Sequence, residues 1–422
     1  MNTPLIFKGS GALHRLPEAI DQLHGKKAFV LADTHTFEAA GQAACTLLEQ
    51  HQIPYSKYVF TTEHLEPDEA AVGSVIMHFD PTCDIVVAVG SGVINDISKI
   101  LANVTKLPYI IVATAPSMDG YASPLSSMCL DGLKVSLPSK WADIIIGDTD
   151  ILRQAPMYLL QSGLGDMVAK YISICEWRLA QLIVSENYSE EIASMVRQAR
   201  DLCADNASAL LQRDPVAVEA VFDGLVNAGF AMALAGISRP ASGVEHYFSH
   251  IWDMRGLEYG KAVNTHGLQC AASTYITAQL YHCLKSITPD REAALQSVRQ
   301  FDYTTWAETL SDFVGQGAKA MIALEAKEGK YDLAKHEPRL DFIISHYEEI
   351  LRIIDEEIPS MEKLDALYAA AGLPKTAEEA GIQDPVSPLA FQCTKDIRDK
   401  YVLSRLAWDL GISNTLIQEV FS

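Results

Sequence analysis

Short apolar runs alternate with longer amphipathic segments over the first 150 residues. The runs are rich in β-branched side chains and lie at residues 28–33, 57–61, 84–90, 109–114 and 143–147. Because each run is apolar continuously and does not alternate with polar residues, we expect both of its faces to be buried. The pattern predicts a parallel sheet covered by helices, with ligands bound at the carboxyl ends of its strands.

The pattern changes after Asp150. Long helical periodicities rich in Ala, Leu, Met and Gln follow, with few β-branched runs. We therefore predict an α/β domain over residues 1–153 and a helical domain over residues 154–422. Pro156 suits the first turn of a helix that begins near this boundary. Residues 372–389 are rich in turn formers and predict a surface excursion between helices.

Composition narrows the classes of function. The chain of 422 residues has 33 Lys and Arg against 54 Asp and Glu, a formal charge of −21, and shows no basic patch. This charge disfavours nucleic acid as a partner. The apolar runs are much shorter than the ~20 residues that a membrane-spanning helix needs, so no membrane span is expected. The N-terminus shows no secretory signal pattern.

Eight cysteines are scattered along the chain without a C-x-x-C pair. This distribution is typical of reduced thiols, and it predicts a cytoplasmic protein. It also disfavours a cysteine metal site or a redox pair.

A glycine turn joins one buried run to an amphipathic segment at residues 90–99, GSGVINDISK. Glycine permits a tight turn, and the following helix offers backbone N–H groups to a phosphate. The segment therefore predicts either a pyrophosphate site for a dinucleotide or a structural strand-to-helix turn. Asn95 stands at the third glycine of G-x-G-x-x-G, and the usual acidic residue about 20 positions on is missing, so this is not the ordinary Rossmann fingerprint.

Two further strand ends carry polar groups. Asp33 ends the first run, where a carboxylate can accept a hydrogen bond from a ribose 2′-OH and favour NADH over NADPH, or can cap a helix. Residues 114–123, TAPSMDGYAS, follow another run and bring hydroxyls and Asp119 to the same predicted sheet edge. This segment predicts either part of a ligand cleft or a hydroxyl-rich turn.

Three histidines suggest a metal site. Residues 242–254 open a predicted helix that places His246 and His250 one turn apart on one face, and His266 follows. Glu245 precedes His246 and is expected to face sideways, which disfavours a metallopeptidase of the H-E-x-x-H type. Each histidine is alternatively an ordinary polar residue of the fold.

A carboxylate ligand is supplied by residues 163–170, GLGDMVAK. Asp166 lies one turn before Lys170 on a segment that is otherwise apolar. A carboxylate and two imidazoles with an open position form a Lewis-acid site for a divalent ion. The alternative is an ion pair between Asp166 and Lys170 on one helix.

Five segments in this order resemble the sn-glycerol-1-phosphate dehydrogenases, within the larger group of glycerol dehydrogenase, iron-containing alcohol dehydrogenases and dehydroquinate synthase. They are residues 90–99, 114–123, 163–170, 242–254 and 266–267, and the resemblance extends over residues 5–350. It implies a dehydroquinate synthase-like architecture: an α/β N-terminal Rossmann-like domain with a parallel sheet, an all-α C-terminal domain, and a metal site between them. The stretch after about residue 375 lies outside the pattern.

The resemblance also implies roles for individual residues. NAD(P)H would contact Asp33, Gly92, Val93, Ile94, Asn95, Asp96, Thr114, Ala115, Pro116, Ser117 and Ser123. One divalent metal, zinc, nickel or iron, would be held by Asp166, His246 and His266. Substrate and catalysis would involve Asp119, Asp166 and His250.

The implied reaction is the reduction of dihydroxyacetone phosphate, a small-molecule substrate, to sn-glycerol 1-phosphate. The alternatives are a polyol dehydrogenase acting on an unphosphorylated diol, a lyase of the dehydroquinate-synthase type and a binding protein without turnover. A dianionic substrate needs local positive charge, for which Lys170, Arg239 and Lys261 are candidates. Analogy with the family suggests a homo-oligomer, a dimer or larger.

Overall fold

The structure, a computed structural model, describes residues 3–130, 133–261, 263–383 and 386–421. It divides into two compact units. One comprises Met1–Met167 and Asp201–Gly236, and the other comprises Val168–Arg200 and Ile237–Ser422. The boundary between residues 153 and 154 falls inside the first of these units, and it stays a prediction.

The strands all belong to the first unit. They are β1 (Leu5–Gly9), β2 (Ala28–Asp33), β3 (Tyr55–Phe60), β4 (Ile85–Gly90), β5 (Tyr109–Ala113), β6 (Leu125–Leu130), β7 (Leu133–Pro138) and β8 (Ile144–Asp148). Six of them form one parallel sheet in the order β1-β8-β5-β4-β2-β3, and β6 pairs with β7 in an antiparallel hairpin.

The helices of both units follow in chain order. They are α1 (Leu16–Gln22), α2 (Thr34–Thr36), α3 (Gln42–Gln50), α4 (Glu69–His78), α5 (Gly92–Thr105), α6 (Thr149–Leu152), α7 (Met157–Val168), α8 (Lys170–Val184), α9 (Glu190–Asp205), α10 (Ala207–Leu210), α11 (Pro215–Ala235), α12 (Val244–Tyr259), α13 (His266–Leu284), α14 (Arg291–Arg299), α15 (Tyr303–Val314), α16 (Ala318–Glu328), α17 (Leu333–Ser345), α18 (Tyr347–Glu357), α19 (Met361–Ala371), α20 (Ser387–Thr394), α21 (Leu403–Asp409) and α22 (Ser413–Phe421). Short 3₁₀ turns at Ala12–Arg15 and Gly315–Gly317 and a π-helical turn at Phe37–Gly41 complete the set.

The five predicted strands are confirmed, because each apolar run lies in the parallel sheet. The expected burial of both faces holds for β2, β4, β5 and β8 but was wrong for β3, an edge strand of which only Phe60 is buried. Val30 and Val87 point into one core with Leu48 of α3. Leu31 and Ala88, at the alternate positions, are also fully buried. The fold class is therefore confirmed, since a parallel sheet in one unit is accompanied by a helical second unit.

The sequence did not predict β1 or the β6–β7 hairpin. Only one residue of β1, Phe7, is fully buried, and this strand pairs on one side alone, with β8. An edge strand of this kind lacks the continuous apolar run that marks a central parallel strand.

The strand order creates a crevice at the carboxyl ends of β2 and β4. The chain proceeds from β2 to one edge at β3, and then from β4 through β5 toward the opposite edge. Right-handed crossovers therefore place the following helices, α3 and α5, on opposite faces of the sheet. Such a switch point is where open α/β sheets bind ligands.

Helix α11 is apolar enough and long enough to match a membrane span by length and composition. It packs into the first unit, and 61% of its apolar window is buried there. A core helix of a water-soluble domain has the same properties.

The excursion predicted at residues 372–389 begins between α19 and α20, as expected, although residues 384–385 lie outside the described part of the chain. It is not simply a surface loop, because Leu373, Ala380 and Ile382 are buried.

Candidate functional site

The glycine turn between β4 and α5 is closely packed on one side and accessible on the other. A Cβ at Gly90 would lie 2.5 Å from Ile94 Cβ, so this position excludes larger residues. A Cβ at Gly92 would make only an ordinary contact, 3.6 Å from Met118 Cγ. Ser91 is the N-cap residue of α5, and its side chain makes no capping hydrogen bond. The Ser91 side chain therefore accepts no hydrogen bond from the backbone N–H groups at the start of α5.

Two of the predicted cofactor residues have structural contacts as well. Asn95 is fully buried, and its Nδ2 donates to Gly120 O at 3.2 Å. The buried Lys99 donates from Nζ to Gly120 O at 2.5 Å and to Leu125 O at 2.9 Å, and lies 3.4 Å from Asp96 Oδ1. Burial lowers the pKa of Lys99 and raises the pKa of Asp96. This part of α5 therefore anchors the loop that follows β5.

Asp33 caps a helix. Its Oδ1 accepts from Thr36 N at 2.8 Å, and its own N–H donates to Thr36 Oγ1 at 3.0 Å, which forms a capping box at the start of α2. The sequence had allowed two roles for Asp33, a helix cap and a contact with the ribose. The ribose contact stays a prediction.

The loop after β5 is fixed against α7 by close approach. A Cβ at Gly163 would lie 1.8 Å from Pro116 O, so only glycine allows this contact. Ser162 Oγ donates to Ser117 O at 3.0 Å in the same region. The predicted cofactor residues of this loop are buried: Thr114, Ala115, Ser117 and Ser123.

Asp119 and Asp166, which the sequence could place only on separate segments, lie together in the first unit. The Asp119 N–H donates to Asp166 Oδ2 at 3.0 Å, and Asp166 is fully buried on α7. A Cβ at Gly229 of α11 would lie 2.9 Å from Asp119 O, so the loop is also confined from this side. The carboxylate of Asp166 is thus held in one orientation.

In the second unit, α12 and α13 bring together His246, His266 and Cys270. One donor atom from each lies within 4.8 Å of the others. The two imidazole rings have their centroids 4.9 Å apart. His250 stacks beside His266 with centroids 6.0 Å apart, and it does not belong to this donor group as the described residues define it. The geometry pairs His246 with His266 and not with His250.

Both histidine rings are oriented by a hydrogen bond at Nδ1. His246 Nδ1 lies 2.7 Å from Glu245 Oε1, which also accepts from Gly243 N at 2.8 Å. His266 Nδ1 lies 2.8 Å from Ser249 Oγ. Metal-binding histidines characteristically hold a partner of this kind on the nitrogen that does not bind the metal. The expectation that Glu245 faces sideways was wrong, because the helix start lets its side chain turn back to the adjacent ring.

A second carboxylate completes the start of α12. Glu176 Oε2 accepts from Val244 N at 2.8 Å, and its Oε1 accepts from Leu403 N at 2.7 Å. Burial, together with the nearby Glu245 carboxylate, raises the pKa of Glu176 to about 8. The C-terminal segment is thereby connected to the helix that carries His246.

The segment before α12 also holds a buried amine. Lys400 Nζ donates to Ser238 Oγ at 2.8 Å and to Ser242 O at 3.0 Å. Burial and the neighbouring Arg239 lower the pKa of Lys400 to about 7.

Two of the three candidate cations for a phosphate, Lys170 and Arg239, are engaged with the protein. Lys170 Nζ donates to Ala241 O at 3.1 Å. Arg239 pairs with Glu186, with Nη2 2.6 Å from Oε2. Lys261 is exposed. These contacts do not single out one cation for a phosphate.

Cys270 is the residue that the sequence did not predict. It follows His266 by four residues, so both lie on one face of α13. Burial raises the pKa of the Cys270 thiol, whereas the imidazoles of His246 and His266 lower it. The net effect is a lowered pKa. The four-residue spacing was visible in the sequence, but the approach of His246 was not.

Comparisons with known proteins agree with this architecture. The sequence model of the family described as "Iron-containing alcohol dehydrogenase" matches residues 8–156. The crystal structure of glycerol dehydrogenase from Schizosaccharomyces pombe superposes with a TM-score of 0.63, covering 99% of this chain and 91% of that one at 17% identity. The fold is thus the one that this glycerol dehydrogenase has, and the first part of the chain matches the iron-containing alcohol dehydrogenases.

Sequence relatives narrow the class to a family. A glycerol-1-phosphate dehydrogenase [NAD(P)+] from Geobacillus thermodenitrificans is 32% identical over 284 residues, which cover 67% of this chain and 70% of the relative. The chain belongs to the glycerol-1-phosphate dehydrogenase family.

A second relative corrects the expected extent of the resemblance. The glycerol-1-phosphate dehydrogenase [NAD(P)+] of Halalkalibacterium halodurans is 25% identical over 398 residues, covering 94% of this chain and 90% of the relative. A match of that length extends past residue 375, so the C-terminal stretch is not wholly outside the family pattern. In this chain, the Leu403 N–H of that stretch donates to Glu176 Oε1, and Glu176 also accepts from Val244 N at the start of α12.

Proposed function

We propose that this protein catalyses the NAD(P)H-dependent reduction of dihydroxyacetone phosphate to sn-glycerol 1-phosphate. The observation that carries the proposal is the 32% identity to a relative named glycerol-1-phosphate dehydrogenase [NAD(P)+]. The donor group on α12 and α13 and the crevice at the switch point of the sheet support it.

The dinucleotide occupies the carboxyl ends of β2, β4 and β5, which are adjacent in the sheet. Its pyrophosphate lies on residues 92–96, where the helix start carries positive partial charge and has no side-chain cap. Asp33 ends β2, the strand beside β4, and would contact the adenosine ribose, while residues 114–117 and Ser123 would contact the nucleotide. The Asp33 carboxylate favours NADH over NADPH.

Asp166, His246 and His266 hold one divalent cation, which is zinc, nickel or iron. The donor chemistry fits such an ion, because two buried imidazoles are oriented through Nδ1 and the carboxylate is fixed by the Asp119 N–H. When bound, the cation would supply Lewis-acid polarisation of the substrate carbonyl, and the reduced dinucleotide would supply the hydride.

The protein's own residues then position the substrate and move a proton. Asp119 lies next to Asp166 and contacts the substrate hydroxyl. His250, beside His266, relays a proton toward the developing alkoxide or holds the substrate. In a His250→Ala variant, kcat should fall by about 100-fold, the scale of one general acid–base contribution, with metal content unchanged. An unchanged kcat would remove this role.

The decisive assay measures NADH oxidation with dihydroxyacetone phosphate, and separately with NADPH, before chelation, after chelation and after metal is added back. Activity that depends on metal and yields sn-glycerol 1-phosphate supports the proposal. Preference for unphosphorylated dihydroxyacetone would indicate a polyol dehydrogenase instead. Turnover without net consumption of NADH would indicate a lyase of the dehydroquinate-synthase type.

The proposal also includes the setting of the reaction. The enzyme is a cytoplasmic homo-oligomer, a dimer or larger, that acts on a small molecule and binds no nucleic acid. Its excess of 54 acidic over 33 basic residues supports the last point. Light scattering of the purified protein measures the oligomeric state.

A further inference from the structure

The donor group on α12 and α13 contains a sulfur atom at ligand spacing. Cys270 Sγ lies 3.6 Å from His266 Nε2, and one donor atom each of His246, His266 and Cys270 lies within 4.8 Å of the others. Zinc binds sulfur at ~2.3 Å and imidazole nitrogen at ~2.0–2.1 Å, so two such ligands of a tetrahedral ion lie about 3.6 Å apart. The observed separation is the one that a shared ion requires.

The local structure fixes all three side chains. The Nδ1 atoms of His246 and His266 contact Glu245 and Ser249, so Nε2 is the nitrogen of each ring that coordinates an ion. Cys270 is one helical turn beyond His266 on α13, and its side chain is fully buried. Ser273 Oγ donates to Glu245 O at 2.8 Å and so ties α13 to α12 at this level.

None of the other seven cysteines belongs to such a donor group in the described part of the chain, and all seven are described. Cys393, for example, is buried in the same unit without belonging to one. A buried thiol in general behaves as a small apolar side chain. The arrangement around Cys270 is therefore specific to that position.

We propose that Cys270 is a thiolate ligand of the divalent cation, together with His246 and His266. On binding, the thiol releases its proton to solvent and sulfur forms the bond to the metal. A thiolate beside two imidazoles is a ligand set typical of zinc. The inference rests on the proposed function in that both use the same two histidines, and with Asp166 also bound the substrate oxygen would be a fifth ligand of the ion, an expansion that zinc allows.

The test uses the full-length protein, stripped of metal and reconstituted with one equivalent of Co²⁺. We expect an intense thiolate-to-cobalt charge-transfer band in the near-ultraviolet spectrum of the wild type. Cys270→Ser should bind Co²⁺ without that band, and its zinc affinity, measured by competition with a chelator, should fall at least about tenfold. Cys393→Ser is the matched control and should keep both the band and the affinity.

A second measurement does not depend on whether a variant folds. X-ray absorption at the zinc edge of the wild-type protein should show one sulfur scatterer at about 2.3 Å, apart from the nitrogen and oxygen shell at about 2.0–2.1 Å. Bound metal without a sulfur scatterer and without a charge-transfer band would overturn the role of Cys270 and leave the proposed reaction intact. A protein that binds no divalent metal would overturn both. Metal-dependent turnover with the band present but no glycerol-phosphate product would refute the proposed reaction alone.

Discussion

The same tripeptide, Ser-Gly-Val, opens two helices that end up with different chemistry. Residues 91–93 start α5 in the first unit, and residues 242–244 start α12 in the second. At α5, the cap residue Ser91 makes no side-chain hydrogen bond to the helix. At α12, two carboxylates of the protein fill the helix start, Glu245 at the Gly243 N–H and Glu176 at the Val244 N–H.

The difference shows how one local motif serves two purposes. A helix start attracts anions because its N–H groups and its dipole are positive. Where the protein leaves it uncapped, as at α5, it suits a phosphate. At α12, carboxyl oxygens of Glu245 and Glu176 already accept from the helix-start N–H groups, and the carboxylate of Glu245 also orients the His246 ring.

The largest expected effect is on NADH affinity, when the uncapped start of α5 is given a carboxylate as at α12. In Ser91→Asp, the new carboxylate should cap α5 and face the cofactor pyrophosphate. Like charges placed together cost several kcal/mol, so the Kd for NADH should rise by at least about 100-fold while Tm is maintained. Fluorescence titration with NADH measures the change.

Ser91→Asn is the matched control, because it caps the helix without charge. Equal affinity of the Asp and Asn variants for NADH would show that no phosphate binds at this helix start.

A smaller effect is expected from neutralising the carboxylate at α12. Glu245→Gln keeps the shape of the side chain but removes the charge that holds His246 Nδ1, so zinc affinity should fall by about 10–100-fold. Competition with a chelator measures it. Glu325→Gln, at a buried carboxylate elsewhere in the second unit, should leave zinc affinity unchanged. Equal losses in the two variants would contradict the specific role of Glu245.

The smallest effect concerns the dependence of stability on pH. The pKa of Glu176 is raised to about 8 in the folded protein, so the folded state binds this proton more tightly than the unfolded chain does. Stability from this group is therefore lost as pH rises toward 8. Glu176→Gln removes this loss, so between pH 6 and pH 8 the unfolding free energy of the variant should rise relative to that of the wild type by about 2 kcal/mol.

Urea unfolding at a series of pH values measures this difference. The pKa of Lys400, lowered to about 7, makes stability rise with pH above 7, but it does so in both proteins and cancels in the comparison. A gap between the two proteins that does not vary with pH would show that Glu176 is ionised in the folded state.

Part of the fold and site could be predicted from sequence because the signals are local. The runs that became β2, β4 and β5 are continuously apolar, since strands inside a covered parallel sheet need apolar side chains on both faces. The turn at Gly90 and the start of α5 were also visible, because glycine at a turn and the amphipathic pattern of a helix are local signals. The edge strand β1 gave no such signal, because a single parallel neighbour and partial exposure demand less of its sequence.

The donor group shows where local reasoning ends. The helical period placed His246 and His250 on one face of α12 but could not say which of them meets His266, and only the family resemblance named His246 and His266 together. The structure pairs His246 with His266 and Cys270, because the packing of α13 against α12 sets which faces meet. No spacing within one helix encodes that contact.

The sequence by itself determined the central strands of the sheet, the glycine turn at Gly90 and the start of α5, since these depend on near neighbours in the chain. Only the tertiary structure decided what fills each helix start. The carboxylate that occupies Val244 N comes from Glu176, 68 residues earlier, and the same group binds Leu403 N, 227 residues later. Such contacts depend on how separate helices pack, because a hydrogen bond acts over about 3 Å whatever the distance along the chain.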